Sequence, residues 1–156
     1  MNLTARVVMD TRFETLRPEM SISEAVGVFQ RVGREQGQTV FGMMVTDGAG
    51  TLLGLLSIYD ILFLLRPKHI HIWGEMEDLE DFGLLESACQ RAKGVLVGDV
   101  MTTEVIIITP DTHLLLIIDI MIKKHVRRLP VLEDGKILGI VYLSGVFNRL
   151  LEKLTP

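Results

Sequence analysis

Apolar residues fall into short blocks along the chain, and these blocks predict the same run of elements twice. In the first run, Phe13 to Leu16 has the pattern of a short strand, and Ile22 to Val32 places apolar side chains at helical spacing. Two strands follow over Phe41 to Val45 and Thr51 to Leu56, and a closing helix over Ile58 to Leu65. The order strand, helix, strand, strand, helix predicts an α/β (α+β) fold in which helices cover small sheets.

The second run has the same order and contains matching pieces of sequence. Its elements are predicted over Val105 to Ile108, Leu114 to Lys124, Leu129 to Leu132, Lys136 to Val141 and Val146 to Leu154. Val8-Met9 recurs as Val100-Met101, and Gly54-Leu55-Leu56 recurs as Gly139-Ile140-Val141. We interpret the chain as a duplication, with one copy at 4–65, a linker at 66–96 and a second copy at 97–154. A unit of this size cannot cover its own sheet, so we expect the two copies to pack face to face.

The linker at 66–96 lies outside the repeat and turns acidic after a short stretch that contains His69 and His71. These two histidines, with Glu75 or Glu77, are candidate metal ligands. Residues two apart on a strand do not converge, however, and nothing else in the sequence completes a ligand set, so we favour an exposed pair. Apolar residues at helical spacing then predict an amphipathic helix that ends near Gly94. They are Leu79, Phe82, Leu85, Cys89 and Ala92.

The turn from Gly54 to Asp60 carries the first candidate chemistry. Ser57 begins the closing helix and Asp60 stands three residues later, which matches a capping box, as Ser21 and Glu24 do at the preceding helix. Capping boxes are common, so these residues by themselves favour a helix cap. A ligand site is the alternative, because a helix N-terminus attracts phosphate and a carboxylate beside it accepts hydrogen bonds from sugar hydroxyls.

The helix predicted at Leu114 to Lys124 is apolar on nearly every side, with Asp119 alone among its aliphatic residues. Such a helix is buried on more than one face. The chain is too small to cover both faces, so the pattern predicts a second subunit and hence a homodimer. Asp119 then pairs with Lys123 or with the partner chain. The alternative is that the linker covers the outer face.

Composition narrows the class of protein further. The 156 residues carry a formal net charge of −4, which argues against a nucleic-acid partner, and 48% of them are hydrophobic, which is enough for a substantial core. The single cysteine, Cys89, cannot form an intramolecular disulfide, and the first residues lack the apolar stretch of a signal peptide. No segment reaches the roughly 18 uncharged apolar residues of a membrane span. We therefore expect a cytoplasmic protein without membrane insertion.

Three stretches together resemble the CBS domain, the module named after cystathionine β-synthase. They are Val97 to Thr102, His125 to Val131 and Gly54 to Ile61. The resemblance covers both copies and leaves the linker outside. It implies two β-α-β-β-α units paired about a pseudo-twofold axis. It also implies a stand-alone regulatory module of bacterial type that binds an adenosine-containing ligand, with AMP, ADP or ATP expected.

The resemblance further implies one intact cleft. Its residues are Leu55, Ser57 and Asp60 from the first copy and Thr103, Val105, Val126, Arg127 and Arg128 from the second. In the family the aspartate holds the ribose hydroxyls, the serine or threonine approaches a phosphate, and the partner unit supplies base and phosphate contacts. The residue types suit this chemistry, since apolar walls accept a base, a carboxylate accepts a diol and guanidinium groups bind phosphate.

The other cleft departs from the family's pattern. Tyr142 and Gly145 stand where a serine or threonine and an aspartate are expected, and Val40, Phe41 and Gly42 stand where basic residues are expected. We therefore predict that this cleft is empty or holds something other than a nucleotide.

Catalysis is not expected, because the sequence has neither a glycine-rich phosphate loop with lysine nor a nucleophile arranged with a base and a third orienting group. The expected function is a sensor that signals to a separate effector protein. It has no obligatory cofactor, although Mg²⁺ can accompany the nucleotide. Two alternatives stay open: a ligand-free dimerisation or docking module, and a pair of CBS domains that senses Mg²⁺ through the acidic linker.

Overall fold

The structure is a computed structural model that describes residues 3–66 and 82–156. In chain order its elements are α1 (Ala5–Val8), β1 (Thr15–Leu16), α2 (Ile22–Gln36), β2 (Gly42–Thr46), β3 (Leu52–Ser57), α3 (Ile58–Leu65), α4 (Phe82–Lys93), α5 (Val97–Val100), α6 (Leu114–Lys124), β4 (Arg128–Glu133), β5 (Lys136–Tyr142) and α7 (Leu143–Leu154). The predicted α/β (α+β) class is confirmed. Helices α3 and α6 have the predicted bounds, whereas α7 begins at Leu143 rather than at Val146.

The chain divides into two compact units. The first unit contains Thr15–Gly48 and Leu53–Thr103, and the second contains Met1–Glu14, Ala49–Leu52 and Glu104–Pro156. Each unit therefore holds most of one sequence copy together with the first residues of the other copy. The predicted domain boundaries are defined by the repeat in the sequence, whereas the compact units are defined by contacts between residues in the structure.

The first unit has a sheet in the order β1-β2-β3, with β1 parallel to β2 through the pairs Thr15–Met44 and Leu16–Val45. Helix α2 covers it. The predicted capping box of α2 is confirmed, because Glu24 N donates to Ser21 Oγ at 3.1 Å and Ser21 N donates to Glu24 Oε1 at 3.4 Å. The predicted apolar face of α2 supplies four buried residues to the core of this unit: Ile22, Ala25, Phe29 and Val32.

The second unit pairs β4 and β5 in antiparallel register. Its turn has Asp134 at φ 51° and Gly135 at φ 78°, and a left-handed conformation at both central residues suits a tight hairpin. The predicted strand at Val105 to Ile108 is wrong in extent. Only Ile108 pairs, in parallel, by donating its N–H to Pro130 O at 3.0 Å and accepting from Leu132 N at 2.9 Å. The neighbouring Ile107 is 50% exposed and takes no part in the pairing.

Helix α6 buries one face and exposes the other. Leu114, Ile117 and Met121 lie in the core of the second unit, whereas Leu115 is 71% exposed and Ile122 is 67% exposed. The predicted ion pair along this helix is confirmed, with Lys123 Nζ at 3.2 Å from Asp119 Oδ2. The apolar outer face is therefore left open within the described residues, as the sequence pattern indicated.

The residues at the start of each copy are hydrogen-bonded near the beginning of the first long helix of the other copy. In the second unit, Leu114 N donates to Leu3 O at 2.8 Å and Ala5 N donates to Thr112 O at 2.9 Å. In the first unit, Ile22 N donates to Val95 O at 2.8 Å, and Val97 N donates in the same way to a main-chain oxygen just before α2. The two copies thus exchange their opening segments, so that each compact unit contains the opening segment of the other copy.

The exchanged segments also reach the last strand of each sheet, and glycine makes this approach possible. Leu55 and Thr102 exchange two backbone hydrogen bonds, of 2.9 and 2.8 Å. Asp10 and Ile140 do the same in the second unit, at 2.8 and 3.0 Å. A side-chain carbon on Gly54 would lie 2.5 Å from Thr102 O, and one on Gly139 would lie 2.6 Å from Asp10 O. Only a residue without Cβ fits at either position.

Helix α4 packs against α2 and α3 of the first unit. Its inward residues are Ala88 and Ala92, while Leu85 is 62% exposed, so the predicted apolar face is only partly right. Gly94 follows the helix end without the left-handed conformation expected of a glycine cap. His69, His71 and the acidic run at 75–81, for which the sequence offers predictions, lie outside the described residues. Among the described residues, no helix has the length and apolar character needed to cross a bilayer.

The close approach at Gly54 generates a stability prediction. Gly54→Ala is expected to lower the free energy of unfolding by about 1–3 kcal/mol, because the new methyl group forces the backbone of Thr102 away from β3. The matched control is Gly27→Ala in the exposed interior of α2, where an added carbon meets nothing within 4 Å. That change is expected to stabilise the protein by up to about 1 kcal/mol. Denaturant unfolding curves that leave Gly54→Ala as stable as wild type would contradict this account.

Candidate ligand-binding site

The candidate site in the first unit is built on the strand-to-helix turn between β3 and α3. Ser57 N donates to Asp60 Oδ2 at 2.9 Å, and Asp60 N donates to Ser57 Oγ at 3.2 Å. These two hydrogen bonds satisfy backbone groups that the first turn of α3 would otherwise leave unpaired. The predicted capping box is therefore confirmed.

Capping uses only part of the Asp60 carboxylate. Its Oδ2 atom accepts the hydrogen bonds of the cap, while Oδ1 lies 3.5 Å from the hydroxyl Oγ1 of Thr102, a long contact. A carboxylate has about four lone-pair positions, so acceptor capacity remains after the cap is made. Asp60 is also partly exposed to solvent. The cap and a ligand-binding role are therefore chemically compatible at this residue.

The first unit brings together the predicted site residues from β3 and α3. Leu55 is half-buried and bonded through its backbone to Thr102, and Ser57 and Asp60 follow on the adjoining turn. Thr103 is exposed and comes directly after Thr102. Four of the predicted residues thus belong to this unit. The sequence prediction omitted Thr102, which bonds to Leu55 through its backbone and contacts Asp60 through its hydroxyl.

The remaining predicted residues belong to the second unit, around the start of β4. Val105 and Val126 are half-buried, Arg127 is exposed, and Arg128 is the first residue of the strand. Arg128 is paired in register with Tyr142 of β5, so these two side chains share one face of the sheet. The main chain at Arg127 is fixed as well, because Leu143 N donates to its carbonyl oxygen at 2.8 Å.

The second unit differs at the residues that correspond to Ser57 and Asp60. Tyr142 precedes α7 at the N-cap position, where its side chain makes no capping hydrogen bond among the described residues. Burial raises the pKa of Tyr142, the nearby Asp10 charge raises it further, and the Arg128 guanidinium opposes them. Gly145, at the position of the aspartate, carries no polar group. At the position that corresponds to Ser57, the second unit therefore has a neutral phenol near the negative charge of Asp10 and the positive charge of Arg128.

Sequence reasoning missed two residues of this arrangement, Thr102 and Asp10. The signal was present, because Val8-Met9 and Val100-Met101 are repeated and the next residue in each case is Asp10 or Thr102. Both residues bond to the strand that leads into the candidate turn of their unit.

A metal site finds no support in the described residues. Within 3–66 and 82–156, histidine, cysteine and carboxylate side chains form no group of three or more that could hold an ion. His69, His71 and the acidic residues of the linker are outside these ranges, so the interpretation of the histidines as an exposed pair stays a prediction.

The first unit also has an open groove between α2 and α3, of about 650 Å³. Its walls include Phe29, Val40 and Ile61, and Arg34 lies among its lining residues. The groove lies beside the helices of this unit, whereas Ser57 and Asp60 are not among its lining residues. It is therefore a separate feature from the capped turn.

Comparison with known proteins gives the family of the chain. The sequence pattern that defines the CBS domain matches residues 5–67 and 97–152. The chain therefore belongs to the CBS domain family and is a tandem CBS domain protein.

Relatives and solved structures agree with this assignment. The chain is 26% identical over 144 residues to CBSX2, a chloroplastic CBS domain-containing protein of Arabidopsis thaliana, and the match covers 88% of this chain and 58% of the relative. The chain thus spans less than two thirds of the length of that plant protein. A crystal structure of CBSX2 in complex with AMP has a TM-score of 0.69 at 26% identity and covers 98% of this chain and 99% of that chain. A structure of MJ1225 from Methanocaldococcus jannaschii, at 18% identity, has a TM-score of 0.73, covers 96% and 48%, and shows likeness of fold alone.

The raised pKa of Tyr142 generates a prediction about alkaline pH. Because the folded state holds the phenol neutral, the unfolded chain ionises first as the pH passes the ordinary value of 10.0. The free energy of unfolding should therefore be unaffected by this group below that pH and should fall as the pH rises toward the folded-state pKa. Tyr142→Phe removes the group, so its stability should fall less than that of wild type above pH 10. Denaturant unfolding of both proteins at a series of alkaline pH values measures the difference, and parallel curves would contradict the assignment.

Proposed function

We propose that the protein is a non-catalytic regulatory module that binds an adenine nucleotide and signals to a separate effector protein. The ligand is AMP, ADP or ATP, held at one site per chain. The proposed contacts are Leu55, Ser57, Asp60, Thr103, Val105, Val126, Arg127 and Arg128. The nucleotide acts as a regulatory ligand, and Mg²⁺ can accompany its phosphates.

The observation that supports this proposal is that the two oxygens of the Asp60 carboxylate have different surroundings. One oxygen caps α3, and the other faces Thr102 on the partly exposed side of the turn. A vicinal diol can donate two hydrogen bonds to such an ionised group, and hydrogen bonds to a charged acceptor are the stronger kind. The bond from Asp60 to the backbone of Ser57 uses only Oδ2, so the cap leaves Oδ1 available to a ligand.

The charges at the start of β4 support a ligand with phosphates. Arg127 is exposed, and consecutive arginines supply several N–H donors in a geometry that suits phosphate oxygens. The relative CBSX2 was crystallised with AMP, and that structure covers nearly the whole of both chains. At 26% identity we take this as support for the ligand class.

We further propose that the module works as a homodimer through the outer face of α6 and the adjoining helix α7. Leu115 and Ile122 of α6 and Phe147 and Leu154 of α7 are all more than half exposed. The two helices pack on each other, so their exposed residues form one apolar surface. Apolar surfaces of this kind mark protein contacts. This face would also serve the alternative function, a docking module without a ligand.

Nucleotide binding is tested at Asp60. Asp60→Ala removes the charge-assisted acceptor and is expected to weaken binding of AMP by about 1.5–3 kcal/mol, measured by calorimetric titration. The same change removes half of the capping box, so it should also lower the free energy of unfolding by about 1 kcal/mol.

The control is Asp60→Asn, which separates the two roles. The asparagine oxygen can still accept the hydrogen bond from Ser57 N, so folding should survive while AMP binding falls. If Asp60→Asn binds AMP as tightly as wild type and Asp60→Ala only unfolds earlier, the residue is a cap and its ribose-binding role is wrong.

Dimerisation is tested at the exposed residues of α6. Leu115→Glu or Ile122→Glu should convert the dimer into a monomer with unchanged circular dichroism, since neither side chain contributes to the core. Met121 is unsuitable for this test, because it is buried and its replacement would unfold the second unit. Leu85→Glu, on the exposed face of α4, is the matched control and should stay dimeric. A wild-type monomer at micromolar concentration in light scattering would rule the proposal out.

A further inference from the structure

The groove between α2 and α3 has an apolar end and a polar end. Its lining residues on α2 include Val26, Gln30 and Arg34, which are spaced four apart and therefore lie along one line of the helix. Val26 is half-buried and lies in the first half of α2, whereas Arg34 is exposed and lies in the last turn. The loop after α2 adds two polar side chains, Gln38 and Thr39. A ligand that fits this groove therefore has an apolar part and a polar part.

The rest of the wall is apolar. The residues from α3 are Ile58, Ile61 and Leu62, and they face Phe29 and Val40 across the groove. Apolar and aromatic side chains with a few polar groups are typical of small-molecule sites, and the volume of about 650 Å³ lies in the usual range for them. An alkyl chain laid along this wall gains affinity with each methylene that leaves water.

Arg34 sets the charge of the polar end. It is the only charged residue among the described residues that line the groove. Within residues 3–66 and 82–156 its guanidinium has no hydrogen bond or ion pair, and the neighbouring carboxylate of Glu35 pairs with Arg31 instead, at 3.5 Å. A guanidinium group can donate two parallel hydrogen bonds to a carboxylate, which makes an anionic head group the best match.

We propose that this groove binds a monocarboxylic acid with an unbranched alkyl chain, which is the chemistry of a fatty acid. The carboxylate pairs with Arg34, where the amide groups of Gln30 and Gln38 can also donate to it. The alkyl chain lies against Leu62 and the other apolar residues of the wall. Ser57 and Asp60 do not line the groove, so the site goes beyond the proposed function and does not depend on it.

Arg34 also has a structural role that the test must separate. A positive charge in the last turn of a helix stabilises the helix macrodipole. Arg91 has the same place in α4, is also exposed and does not line the groove. A role confined to the helix end therefore makes the two arginines equivalent, whereas a ligand-binding role distinguishes them.

The test is calorimetric titration of the full chain with decanoate and, separately, with decyltrimethylammonium, which has the same chain length and the opposite charge. Wild type is expected to bind about one decanoate per chain and to bind the cation at least about tenfold more weakly. Octanoate should bind about three- to fifteenfold more weakly than decanoate, because two fewer methylenes leave water.

Substitutions then locate the site. Arg34→Gln should weaken decanoate binding by about tenfold and remove the preference over the cation, while Arg34→Lys keeps the charge and most of the affinity. Arg91→Gln is the matched control and should bind decanoate as wild type does. On the apolar wall, Leu62→Gln should weaken decanoate binding by about tenfold. Phe63→Gln should not, since Phe63 is 61% exposed, much like Leu62 at 59%, but does not line the groove.

Several results would overturn this proposal. They are equal affinity for decanoate and the cation, several unsaturated decanoate sites per chain, or unchanged decanoate affinity in Arg34→Gln. If wild type binds no decanoate and Leu62→Gln lowers the mass measured by light scattering, the groove is an interface with a second copy and the proposal fails. The proposed function is scored separately, because Asp60→Asn should leave decanoate binding unchanged and Arg34→Gln should leave AMP binding unchanged.

Discussion

The structure depends on two backbone contacts in which the opening segment of one copy bonds to the last strand of the other. Leu55 with Thr102 and Ile140 with Asp10 are both made possible by a preceding glycine that lacks a side chain. These contacts join residues far apart in sequence, so their loop-closure entropy is lost before they form. Neither sequence copy holds all the parts of a compact unit. The same contacts place Thr102 against Asp60, so the candidate site exists only once the exchange is made.

Elements with local signals could be predicted from the sequence. Helix α2 was found because Ser21 and Glu24 mark its start and its apolar residues recur at helical spacing, and both signals act within a few residues. The predicted strand ending at Ile108 was wrong because pairing depends on which residues of β4 are within reach. On α4, the inward position belongs to Ala88 rather than Leu85, since close helix packing selects small side chains that a hydrophobic pattern cannot distinguish.

The residues of the candidate site could be predicted where they occupy the positions of the family's motif. Ser57 and Asp60 were found from their spacing, and the arginines from the motif before β4. Asp10 has no position in the motif of the family, so the resemblance could not point to it. The repeated dipeptide before Asp10 and Thr102 relates the two residues, but only the structure shows that both bond to the last strand of a sheet and that the Thr102 side chain contacts Asp60.

The two units differ in how the helix after the last strand is stabilised at its start. In the first unit the carboxylate also caps α3, a helix of 8 residues with no fully buried side chain among those described. Changing Asp60 is therefore expected to alter helix stability together with the nucleotide binding that we propose for it. In the second unit α7 has 12 residues, buries Val146 and begins without a side-chain cap, so its stability comes from packing and length. Asp10 bonds through its backbone to Ile140 of β5 and takes no part in a cap of α7, so this helix does not depend on a carboxylate in the way that α3 does.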